Sequence, residues 1–80
     1  MGSASIFDVI AAREALVAAD VACELHLHDA CGAQTMELRP LDNAPDDVLS
    51  QAYAVVEGVF AERGLAVEVL DAQGRNLRVR

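Results

Sequence analysis

Eighty residues with a net charge of −7, six arginines and no lysine bound this chain to one small domain. Its acidic balance argues against nucleic acid as a partner, because an acidic surface repels phosphate backbones. No apolar run approaches the ~20 residues a membrane helix needs, and the sequence contains no glycine-rich phosphate loop, nucleophile elbow or Cys-x-x-Cys pair.

Met1, Gly2, Ser3 and Ala4 read as a flexible N-terminus or a cloning remnant. With no secretory signal there, a reducing cytoplasm is the expected compartment. Ser5 followed by Asp8 has the form of a capped helix start. Ile6, Val9, Ile10, Leu16 and Val17 then recur at helical spacing, which predicts a helix over residues 6–19 with Arg13 and Glu14 outside.

Period two takes over at Val21. Val21, Cys23, Leu25 and Leu27 take one face of a strand, and Ala22, Glu24, His26 and His28 take the other. A second alternating run places Met36 and Leu38 on one face and Thr35, Glu37 and Arg39 on the other. Opposed residues of an antiparallel pair share a face, so an even loop around Cys31 and Gly32 is required. That register sets Leu27 opposite Met36, Leu25 opposite Leu38, His28 opposite Thr35, His26 opposite Glu37 and Glu24 opposite Arg39.

Asn43 and Pro45 predict the start of a second helix, with Asn43 as cap and Asp46 and Asp47 favoured near the positive end of its dipole. Val48, Ala52, Val55, Val56, Val59 and Phe60 form its apolar stripe, Gly64 stops it, and Gly58 inside it is expected to permit close packing. Leu65, Val67 and Val69 open a third strand. Asp71, Ala72, Gln73 and Gly74 then have the composition of a type I turn with a glycine bulge. Its odd parity pairs Val69 with Leu77, Val67 with Val79 and Glu68 with Arg78.

The elements therefore run α-β-β-α-β-β, and two short echoes between the halves need different offsets. The expected fold is a single two-layer α+β domain, a four-stranded antiparallel sheet with both helices on one face. The other face then displays Glu24, His26, His28, Thr35, Glu37, Arg39, Glu68, Arg78 and Arg80. An open four-stranded sheet leaves two edges, for which the C-terminal strand is one candidate, and the order of strands across the two hairpins is left open by the sequence.

Chemistry, where the sequence offers any, gathers at the first hairpin. His26 and His28 lie roughly 6.5–7 Å apart along one strand face, and Glu37 across the ladder supplies a carboxylate. Two imidazoles and a carboxylate suit zinc or another transition metal; the bland alternative is two solvated histidines with His26 beside Glu37. Cys31 at the hairpin tip is the candidate reactive thiol, with His28 available to lower its pKa and Asp29 opposing that effect. Cys23 reads as core, where cysteine behaves as a small hydrophobe, and Tyr53 as a boundary residue.

His28, Asp29, Ala30, Cys31 and Gly32 resemble the signature of the RDAC family of small bacterial proteins, with Asp29, Ala30 and Cys31 matching and His28 standing where that family has Arg. The resemblance implies no activity, only that the hairpin tip distinguishes the chain. The leading reading is thus a non-catalytic module that binds a protein or peptide by its open sheet face or an edge strand. A homodimer falls within it, and no resident cofactor is expected. The alternative is the metal or thiol site at His26, His28, Glu37 and Cys31.

Overall fold

The computed structural model describes residues 5–30 and 33–79, with the backbone alone at positions 29, 30 and 33. Ser5 and Asp8 close a reciprocal capping box. Ser5 Oγ accepts the Asp8 N–H at 3.2 Å, and the Asp8 carboxylate accepts the Ser5 N–H at 2.8 Å. Helix α1 follows over Ile6–Ala18. It ends in a Schellman closure, with the Val21 N–H on the Leu16 carbonyl and the Asp20 N–H on the Val17 carbonyl, each at 3.0 Å. Asp20 holds φ +58° at the left-handed position there.

Strands β1 (Cys23–Ala30) and β2 (Ala33–Pro40) form the first hairpin. Their register is the one the even loop demands, from Glu24 opposite Arg39 to His28 opposite Thr35. Helix α2 covers Val48–Glu62. Its cap is Asp47, not Asn43: Asn43 adopts φ +68° in a turn where the Ala44 N–H meets the Leu41 carbonyl. Asparagine tolerates that conformation, so the residue serves the turn and the helix starts four residues later. Gly64 takes φ +77° and lets the Leu65 N–H close on the Phe60 carbonyl at 2.8 Å.

Strands β3 (Val67–Val69) and β4 (Asn76–Val79) pair as the turn parity requires, with Glu68 opposite Arg78. Asp71 organises that turn, its carboxylate accepting the N–H groups of Arg75 and Asn76 at 2.9 and 3.0 Å. The Asn76 contact, above all, holds the Asp71 carboxyl below its ordinary pKa.

The sheet order is β1-β2-β4-β3, antiparallel throughout. The order the sequence left open thus places β4, a candidate edge, inside the sheet between β2 and β3, and the edges are β1 and β3. At the β2–β4 seam Met36 stands opposite Leu77 and Glu37 opposite Asn76, and three-residue β3 is left outside.

Val9, Ala12 and Leu16 from α1 meet Leu25, Met36, Leu38 and Leu77 from the sheet and Ala52, Val56 and Phe60 from α2 in one buried cluster. Both helices therefore cover the same sheet face. Ile6, Ile10 and Val17, expected inward, are exposed, and so is Phe7. Helix α1 packs on α2 and on the outermost strand, so only the flank carrying Val9, Ala12 and Leu16 meets protein. On the neighbouring flank, Val17 borders the outermost strand at residues 23–26.

Gly58 is likewise corrected. It is exposed, and a Cβ there meets nothing within 4 Å. Gly58→Ala is expected to raise stability by about 1 kcal/mol, the difference in helix propensity. A urea midpoint unchanged or lowered would mean that this part of α2 contacts something the fold does not reveal.

Candidate functional site

The open sheet face carries a continuous polar network built by β1 and β2. Glu37 Oε1 lies 3.1 Å from His28 Nε2 and accepts from Arg39 Nε at 3.0 Å. Arg39 Nη1 in turn lies 3.5 Å from His26 Nε2, which is 3.6 Å from Glu24 Oε1. Glu37 is therefore bound by His28 and Arg39, whereas the cross-strand pairing alone suggested His26, and Arg39 serves Glu37 in place of Glu24. Sheet twist brings one diagonal pair closer than the other, so His28 reaches the carboxylate two positions beyond its direct partner Thr35. First His28 and then Arg39 hold the Glu37 carboxyl below its usual pKa.

That arrangement bears on the metal set. Arg39 places a guanidinium between His26 and Glu37, where a metal ion would need both as ligands. Among the described residues no three His, Cys, Asp or Glu side chains come together to hold a metal. Cys31 and Arg80 lie outside the described residues. Cys23 is a buried free cysteine whose thiol pKa is pushed up, burial being the largest cause, the opposite of activation.

Farther along the face, Arg78 Nη2 meets Glu68 Oε2 at 2.9 Å as the register predicts. Glu24, His28, Arg39 and Arg78 are exposed; His26, Thr35, Glu37 and Glu68 are half-buried.

The sheet's two edges differ. At β3, three residues long, the Tyr53 hydroxyl donates to Glu57 Oε2 at 3.1 Å and reaches the Val67 carbonyl at 3.4 Å. At β1, eight residues long, Arg13 Nε donates to the Leu25 carbonyl at 2.7 Å. Each edge thus has one carbonyl covered by a helix side chain, a device that discourages pairing with another strand. The longer edge is the less guarded. Beside it lies a groove of about 360 Å³ formed by Arg13, Leu16 and Val17 of α1 against residues 23–26 of β1.

Sequence reasoning placed Arg13 simply outside and missed this groove. A signal was present: Ile6, Ile10, Arg13 and Val17 follow i, i+4, i+7, i+11, one cation within an apolar flank. Asp8 was also underread, for besides capping α1 it binds Arg63 just past the end of α2. The Ser5 N–H and then Arg63 keep its carboxyl below the normal range.

No family model, curated protein or solved structure matches this chain. No helix among the described residues is long and apolar enough to cross a membrane.

Proposed function

We propose that this chain is a non-catalytic module that binds a protein or peptide through the β1 edge and the adjoining open sheet face. One observation carries the reading: an eight-residue outermost strand borders both an exposed polar face and a groove beneath an uncovered apolar helix flank. Alternate residues of an outermost strand turn their N–H and C=O groups away from the sheet, which is the geometry that strand addition uses. The polar network beside it ties its side chains to one another in pairs. Those side chains are exposed or half-buried.

A selection from displayed linear peptides tests the reading. Saturable binders are expected, and they should shift the backbone amide resonances of Leu25, Leu27 and their neighbours. Binders that map instead to α2 or β3 would remove β1 from the interface. A selection that yields no saturable binder would remove the module reading altogether.

A further inference from the structure

Resting on that reading, we infer that the groove between α1 and β1 takes an extended segment alternating apolar and basic side chains, added as a fifth strand beside β1. The backbone parity follows from the ladder. The Leu38 N–H donates to the Arg75 carbonyl on the β4 side at 2.7 Å, so Leu38 turns its backbone away from β1. Its partner Leu25 must then turn outward too, and Cys23 and Leu27 share that parity. The Arg13 contact with the Leu25 carbonyl agrees with this assignment.

The roof of the groove sets the apolar side chains of Leu16 and Val17 beside Arg13. Val17 is 80% exposed, and Ile6 and Ile10 continue the same flank of α1. A strand set beside β1 points every second side chain toward the helix layer, beneath this flank, where an apolar residue removes both surfaces from water. Its remaining side chains emerge on the open face beside Glu24 and His26. The Glu24 side chain is 61% exposed there, on a chain of net charge −7, so a basic neighbour is favoured. Strand β4 already displays the pattern within the fold. Leu77 and Val79 are buried beneath the helices while Arg78 pairs with Glu68 on the open face.

A second copy of this chain fits the edge less well. Antiparallel pairing of two β1 strands sets them about 4.8 Å apart and leaves both helix layers on the same side. Each copy carries α1 over that same outermost strand, whereas packed helix axes need roughly 8–10 Å. An isolated extended segment brings no helix. The Cys23 N–H already donates to the Val21 carbonyl at 2.8 Å, so pairing runs from Leu25 onward; there the Arg13 side chain must yield the Leu25 carbonyl to a strand N–H, and Arg13 acts as a displaceable guard of the edge.

The test uses fluorescent hexapeptides read by anisotropy: one alternating Leu or Val with Arg, one with Glu in place of every Arg, and two N-methylated at alternate residues of opposite parity. The Arg peptide is expected to bind saturably, and the Glu peptide about tenfold more weakly or worse. One N-methylation parity should abolish binding while the other leaves it, because only alternate N–H groups face β1. Glu24→Arg should weaken the Arg peptide roughly three- to tenfold, and Arg13→Ala should strengthen it several-fold.

Equal binding of the Arg and Glu peptides would overturn the basic occupant and leave edge binding intact, as would library binders that carry no basic alternation. Indifference to N-methyl parity would overturn strand addition. Concentration-dependent dimerisation, read by sedimentation and abolished by Leu27→Pro, would make a second copy the occupant and overturn the inference.

Discussion

Phe60→Ala is expected to remove about a quarter or more of this protein's stability, and at the lower end of the range to unfold it. Phe60 is the bulkiest fully buried side chain, 0% exposed, at the point where α2 meets the sheet. Removing a buried aromatic ring costs about 3–5 kcal/mol, the transfer term and the cavity term together. Eighty residues at typical stabilities hold roughly 4–12 kcal/mol in all. The rest of the core consists of Val, Ala, Leu, Met and Cys side chains, so few neighbours have the reach to collapse into the void. Urea denaturation followed by far-ultraviolet circular dichroism measures the loss. Phe7→Ala is the matched control: that ring is 71% exposed on α1, and its removal should move the midpoint little. Equal losses at the two positions would mean that α1 and α2 have exchanged their buried and exposed surfaces.

The contrast between these two phenylalanines marks where the sequence is legible and where it is not. Strand faces were readable because period two is strict. A single residue of slip would have put Leu25 and Leu38 in water, and the hydrophobic pattern rejects that. The two hairpins obey opposite loop parities for the same reason, and Glu68 opposite Arg78 followed without further information. Helix α1 was harder. Six apolar residues and four alanines wrap much of its circumference, so periodicity alone does not choose the buried third. That choice depends on where α1 sits over the sheet, and hence on the strand order, which pairs β2 with β4 through residues far apart in the chain. Asn43 against Asp47 was ambiguous because both residue types suit caps and turns alike. The site shows the same division. The open-face residues follow from alternation, whereas the Arg13 guard and the preference of Glu37 for His28 depend on helix placement and twist, which local pattern does not encode.

Leu25→Ala is the second large effect, expected to cost about 2–5 kcal/mol, while the neighbouring His26→Ala should stay within about 0.5 kcal/mol of the parent. Leu25 is 1% exposed beneath the helices, and His26 stands on the opposite face. One residue of separation thus spans the full thickness of the strand. The pair also separates stability from binding, because Leu25 contributes a side chain to the core and backbone groups to the edge. His26→Ala leaves the backbone in place but removes the ring that Arg39 and Glu24 approach, so it should alter the open face with the fold intact. If His26→Ala destabilised as much as Leu25→Ala, the imidazole would have to be buried. The polar network would then lie on the wrong side of the sheet to meet any partner.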